Sequence, residues 1–301
     1  MVSISRIEYD IQLLASSPRN SLENIEQHAN IVDWIASEFT RIGLRTERQV
    51  FDIPHQSPAR IGTNIIGELN HANSTSTPIL IGAHFDTVPG SPGADDNASG
   101  VAAMLECGRV LTDSGSERRV TFVAFDAEEM QPPAKGLHGS TAYVKELLAE
   151  SRPSAAIIFE SIGFSSSTIK QQLPGSFRIL FRKAFKALKH QNFESNSLLI
   201  LSRGKGRNIS RHLEKSASVP NIDLAIIPLE VPRWMPLVRN LRRSDHAPFW
   251  LAGISAVMIS DTANFRNPHY HQPSDTPGTV DFEMVARAAR TVLDAIARGA
   301  I

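Results

Sequence analysis

Cys107 is the only cysteine in the 301 residues, so the chain forms no internal disulfide and its fold must rest on a buried core. No stretch approaches the roughly 18 consecutive apolar residues that a spanning helix needs, so no membrane partner is expected. The opening segment MVSISRIEYDIQLLASS carries Arg6, Glu8 and Asp10 and lacks the apolar run of about 7–15 residues that marks a signal peptide. Cytoplasmic residence is the default expectation. Net charge is absent as well, with 31 basic against 31 acidic side chains. Aromatics make up only 7% of the chain. No aromatic platform or known module accompanies its basic residues, so nucleic-acid binding is not expected. Repeats and low-complexity linkers are also missing; Asn70 to Thr77 reads as a polar turn.

The balanced total hides an uneven distribution. Residues 170–243 hold fifteen Lys and Arg against four Asp and Glu, and the rest of the chain carries the compensating negative charge. Arg178, Arg182, Lys183, Lys186 and Lys189 have the spacing of one solvated helix face. A sharper alternative is that Arg203, Lys205, Arg207, Arg242 or Arg243 faces a pocket and binds a substrate carboxylate.

With 42% hydrophobic residues, the chain is long enough to bury a large core. Residues 22–42 read as an amphipathic helix with Ile25, Val32, Ile35 and Phe39 on its apolar face. Strands are expected near 47–53, 63–69, 78–83, 119–125, 154–160 and 253–259. Helices are expected near 98–112, 139–150, 176–190 and 281–299. Such alternation predicts a single-domain three-layer α/β/α sandwich around a mainly parallel mixed sheet, spanning residues 1–301. Cys107 falls in the apolar helix from Ala98 to Leu111, where a packed thiol is expected.

The chemistry concentrates at strand ends, where open α/β sheets bind their ligands. The apolar run 78–83 ends at His84, and Asp86 two residues on can accept a hydrogen bond from the imidazole nitrogen turned away from a metal. Asp95 and Asp96 precede a helix start. They read either as an Asx turn capping that helix or as a carboxylate turned back toward His84. A second strand, Val120 to Phe125, runs into the paired acids Glu128 and Glu129, whose adjacency is costly unless cations hold them. A third apolar run leads to Glu160. The loop NPHYHQPSDT supplies His269, Tyr270 and His271.

Four blocks, GAHFDTVPGSPGADDNASG, AFDAEEM with GLHGS, FESIGF, and SDHAPFWLAG with NPHYHQPSDT, occur in order between residues 82 and 276. In these blocks the chain resembles the co-catalytic di-zinc exopeptidases, the family that includes secreted bacterial aminopeptidases and glutamate carboxypeptidase. The resemblance implies two zinc ions per chain. Asp96 would bridge them, His84 and Glu160 would hold one, and Glu129 and His271 the other. Glu128 would then be the general base and Tyr270 the group that steadies the developing oxyanion. It also implies a peptide substrate, cleaved as an aminopeptidase cleaves it. His271, directly after the tyrosine and six positions before Pro277, matches the family's ligand position where His269 does not. His246, in the SDHAP segment, either binds substrate or supports its loop.

Two departures stand out. Glu160 occupies a position where better known aminopeptidases carry Asp, and Met130 to Lys135 lengthen the link after the paired glutamates, which should reshape the pocket rim. A glutaminyl-cyclase-like acyltransferase with one zinc and a carboxypeptidase on the same metal site are the alternative activities. Asp95-Asp96-Asn97 and Tyr270 follow the peptidase pattern rather than the cyclase one. Zinc suits these N and O ligands, although manganese or cobalt could occupy them too.

Overall fold

The computed structural model of the chain describes residues 1–54, 60–69, 76–129, 136–235 and 241–301. The reading of Asn70–Thr77 therefore falls largely outside the described residues, as does the rim segment Met130–Lys135.

Two helices, α1 (Ile4–Leu14) and α2 (Ile25–Ile42), precede the hairpin β1 (Arg45–Ile53) and β2 (Arg60–Leu69). Then come β3 (Ile79–His84), α3 (Gly100–Asp113), β4 (Val120–Phe125), α4 (His138–Glu146) and β5 (Ala155–Glu160). The third quarter carries β6 (Ser166–Lys170), α5 (Phe177–Leu180), α6 (Arg182–His190), β7 (Glu194–Ser195), β8 (Leu198–Arg203), α7 (Gly206–Ala217) and β9 (Ile226–Val231). The chain closes with α8 (His246–Leu251), β10 (Ala256–Ser260) and α9 (Phe282–Ala297).

Eight of these strands form one mixed sheet in the order β1-β2-β4-β3-β5-β10-β8-β9. The central strands β4, β3, β5 and β10 are mutually parallel, so their carboxyl ends share one edge. β1, β2 and β8 join antiparallel. All six residues of β3 and of β4 are buried, the continuous apolar pattern of strands covered on both faces. Alternate side chains divide between the layers. Ile79, Ile81 and Ala83 pack with α1, α2, α3, α7 and α9 on one face. Leu80, Val123 and Phe125 meet Tyr143 of α4 and Phe249 of α8 on the other. A separate cluster joins Leu199, Leu201 and Leu229 to Phe177 and Leu188 of α5 and α6.

The differences from the sequence reading are local. Ile25 opens α2 but is 65% exposed, whereas Val32, Ile35 and Phe39 are buried. The expected helix over 176–190 is broken at Phe181 into α5 and α6. The expected start at Ala98 is instead a π-type turn, Ala94–Ser99, within which Asp96 and Asn97 leave helical geometry. Cys107 is fully buried in α3, where burial pushes its thiol far above the ordinary range. Arg178, Arg182, Lys183, Lys186 and Lys189 are all exposed, as a solvated face requires. Among the described residues no helix is long and apolar enough to cross a membrane.

Candidate metal centre and substrate cavity

His84 ends β3 and Glu160 ends β5, while Glu128 and Glu129 follow β4 and Asp96 and His271 arrive on loops. The parallel edge brings all six together. Two groups, His84/Glu128/Glu160 and Asp96/Glu129/His271, each have ligand atoms lying within 4.8 Å of one another and could each hold a metal ion. Asp96 lies between them: its Oδ1 is 3.3 Å from His84 Nε2 and its Oδ2 is 3.1 Å from His271 Nε2. His84 Nε2 is 3.5 Å from Glu160, and His271 Nε2 is 3.1 Å from Glu129. The Asp96 carboxylate thus faces two imidazoles instead of capping α3, whose start carries no side-chain cap.

Burial makes this crowding expensive without cations. His84 Nε2, Asp96 Oδ1 and His271 Nε2 are buried and make no hydrogen bond within the described structure, an arrangement that costs about 1–3 kcal/mol per orphaned group. Burial, then the charge of Asp96, pushes Glu129 up to about 7. Burial disfavours the His271 imidazolium, but Asp96 and Glu129 more than offset it and hold the ring at about 10. Protons thus collect where a divalent ion would sit. Three carboxylates and two imidazoles with unpartnered nitrogens suit zinc, which takes both N and O ligands.

The ligand loops are pinned by carboxylates that bind no metal. Asp86 Oδ1 and Oδ2 accept the consecutive main-chain amides of Glu128 and Glu129, at 3.0 and 3.1 Å. His84 Nδ1 hydrogen-bonds the Asp86 main-chain carbonyl at 3.2 Å and lies 3.6 Å from Asp86 Oδ1, so Asp86 stands behind the imidazole while its carboxylate also accepts the two amides. Asp275 does the same for the amides of Asp95 and Asp96, at 2.9 and 3.1 Å. Asn97 ties this turn to β5, donating to Phe159 O and accepting from Ser161 N, both at 3.0 Å. Ser244 Oγ donates to Glu160 Oε2 at 2.6 Å. Ala127, Ser161 and His271, beside or within the ligand set, all have positive φ, at 54°, 47° and 59°, the kind of strain that surrounding structure must over-determine. Behind the first loop, the fully buried Arg19 donates to the carbonyls of Leu14, Phe85, Pro92 and Gly93. Asp275, Asn97, Ser244 and Arg19 were not identified from sequence.

A cavity of about 1290 Å³ opens beside the ligands. Glu128, Glu129, Glu160 and His271 stand at one end, and Phe177, Leu199, Leu229, Trp234, Met235 and Met258 form an apolar wall. Tyr270 borders it, its ring stacked on His271 at 3.8 Å and its hydroxyl accepting from Arg243 Nη2 at 3.0 Å. Burial, then Asp96 and Glu129, raises the phenol pKa, so the group is a neutral donor. Arg242 and Arg243 line the cavity. Arg203 instead donates to the carbonyls of Arg233 and Met235, Arg207 lies 3.9 Å from Glu230, and Lys205 is exposed. His246 also borders the cavity, but it bonds Leu241 O through Nε2 at 3.1 Å and meets Trp250 edge-on. His269 bonds Ser274 Oγ at 2.9 Å.

The sequence profile of peptidase family M28 matches residues 64–227 and 233–296. The chain belongs to peptidase family M28. It is similar to the Escherichia coli (strain K12) protein YfbL, 29% identical over 302 residues that cover 97% of this chain and 87% of that one. It is also similar to aminopeptidase YwaD of Bacillus subtilis, 29% identical over 249 residues that cover 77% of this chain. That match spans only 44% of YwaD's length. Among solved structures, a zinc aminopeptidase from Bacillus subtilis superposes with a TM-score of 0.74 at 18% identity, over 99% of this chain and 96% of that one. A glutaminyl cyclase from Bacteroides thetaiotaomicron also reaches 0.74 at 18% identity, over 98% of each chain. At such identity these two likenesses establish the M28 fold and nothing finer.

Proposed function

We propose that this M28 chain is a di-zinc aminopeptidase that removes N-terminal residues from peptides. The observation that carries the proposal is the Asp96 carboxylate, with one oxygen toward each of two histidines, each backed by a glutamate. In this reading Asp96 would be shared between two zinc ions, His84 and Glu160 would hold one, and Glu129 and His271 would hold the other. When bound, zinc supplies Lewis acidity and lowers the pKa of a coordinated water from 15.7 to about 7.

Glu128 is the remaining carboxylate and serves as general base. Without a cation nearby, burial raises its pKa well above the ordinary carboxylate range, against the attraction of His84, with Glu160 and Glu129 adding to the rise; bound zinc would offset that rise and leave the carboxylate able to take a proton. A base of this kind takes the proton of the attacking water as its oxygen adds to the scissile carbonyl carbon. It then delivers that proton to the amide nitrogen as the C–N bond breaks, releasing the shortened peptide as an amine. Tyr270 donates to the carbonyl oxygen as negative charge develops there. The apolar cavity wall suits a hydrophobic side chain beside the scissile bond, since such walls bind by removing apolar area from water.

Metal content per chain, measured together with mass-spectrometric products from free-amine and N-acetylated peptides, tests the proposal. Near two zinc ions, with stepwise loss of residues from free amino termini only, supports it. One zinc with ammonia loss from N-terminal glutamine would transfer the assignment to cyclisation. Shortening of acetylated peptides from the other end would transfer it to a carboxypeptidase.

A further inference from the structure

Arg243 is one of the five basic residues considered in the sequence as readers of a substrate carboxylate, yet its guanidinium is already engaged. Nη2 donates to Tyr270 Oη and Nη1 to Asn264 Oδ1, each at 3.0 Å. Asn264 lies in the loop that leads to Tyr270, so the arginine is held from one side and holds the tyrosine from the other. A phenol has one proton to donate and oxygen lone pairs to accept with. With a guanidinium hydrogen on the oxygen, the Tyr270 proton is left to point elsewhere. The ring's stacking on His271 at 3.8 Å fixes the ring plane in which that proton lies, and both Arg243 and Tyr270 border the cavity that Asp96, Glu129, Glu160 and His271 also line. The next residue, Ser244, donates to Glu160, so one short segment braces both ends of the site.

We propose that Arg243 is a positioning residue: it occupies the acceptor side of the Tyr270 hydroxyl so that the phenolic proton faces the substrate carbonyl, with a fixed positive charge behind it. This rests on the role given to Tyr270 above. It separates Arg243 from a carboxylate anchor, which would act on substrate affinity and only on substrates with a free carboxylate. It also gives a purpose to a doubly hydrogen-bonded arginine at the rim, where an unengaged side chain would lose entropy for no contact.

The test is a double-mutant cycle on the zinc-loaded enzyme, using leucine p-nitroanilide and a leucine dipeptide with free or amidated carboxyl terminus. Tyr270→Phe should lower kcat by roughly 10²–10³, as loss of one oxyanion donor does. Arg243→Ala should lower kcat by about tenfold or more on all three substrates with KM nearly unchanged, and Arg243→Lys should recover part of the loss. The double variant should be no slower than Tyr270→Phe alone, because groups that act as a unit are not additive. Calorimetric binding of an α-amino boronic acid, which becomes tetrahedral on adding water, should weaken in the same non-additive pattern without turnover. A slowed Tyr270→Phe beside a normal Arg243→Ala, fully additive losses, or a KM increase confined to the free-carboxylate dipeptide would each overturn the inference while leaving the hydrolase reading intact. A fully active Tyr270→Phe would remove the role of the tyrosine and this inference with it.

Discussion

Protonation of His246 should be a principal route of acid destabilisation. The imidazole is buried, and burial lowers its pKa to about 4 even though the bond to Leu241 O opposes the shift. An unfolded histidine titrates near 6.5. A folded pKa below the unfolded one means that the fold favours the neutral ring, so its contribution is complete above about 6.5 and is lost as pH falls toward 4. At about 1.36 kcal/mol per pH unit, that gap is worth about 3.4 kcal/mol in full, and about 2 kcal/mol is already lost at pH 5. Urea unfolding of the chelator-treated protein at pH 7.5 and pH 5.0, in wild type and His246→Gln, reads this directly. Removing metal from both keeps ligand protonation common to the two proteins. The wild type should lose about 2 kcal/mol more than the variant between those conditions. Equal losses would refute the reasoning, meaning that the ring is either solvated or already charged in the fold.

Glu128→Gln should lower kcat by about 10²–10⁴ while mass spectrometry under native conditions still finds two metals, whereas Asp96→Asn should lose metal. Arg19→Met should destabilise the protein by about 2 kcal/mol or more in urea titration, since four carbonyls would lose their donor at once. Gly139→Ala should cost about 1–3 kcal/mol, because a Cβ there would run into the Asn64 side chain and the Asp126 main chain; unchanged thermal unfolding would show that the loop yields. Chelation of the zinc-loaded enzyme should lower its melting temperature, as removal of any ligand that binds only the folded state does.

The central sheet was legible because strands such as Ile79–His84 and Val120–Phe125 are apolar throughout and end in groups that can ligate metals. Leu198–Leu201 is equally apolar, but it lies in a segment dominated by its charge, and a short apolar run cannot be assigned to strand or helix by periodicity alone. The flanking β9 and α7 were missed with it. In the site, ligand candidates were readable from their positions after strands. The carboxylates that hold the ligand loops were not. Asp275 meets the amide of Asp96 from 179 residues away, and no local spacing announces such a contact. Asp86 was recognised as a neighbour of His84, but its choice of two amides depends on how closely β3 and β4 run in register. Nothing local to Arg19 announces its burial, which follows from the carbonyls of Leu14, Phe85, Pro92 and Gly93 that converge on it after folding.

The cavity wall and the ligand cluster stand on different foundations. Leu199, Leu201, Leu229 and Phe177 belong to a cluster of their own, whereas the strands that end in His84 and Glu160 are rooted in the two central clusters. Substitutions that re-shape the wall therefore act first on that separate cluster, although its strand Leu198–Arg203 also sends Leu198 and Ile200 into the central one. If the wall receives the substrate side chain as proposed, its shape and the geometry of the reacting groups are set by largely different side chains.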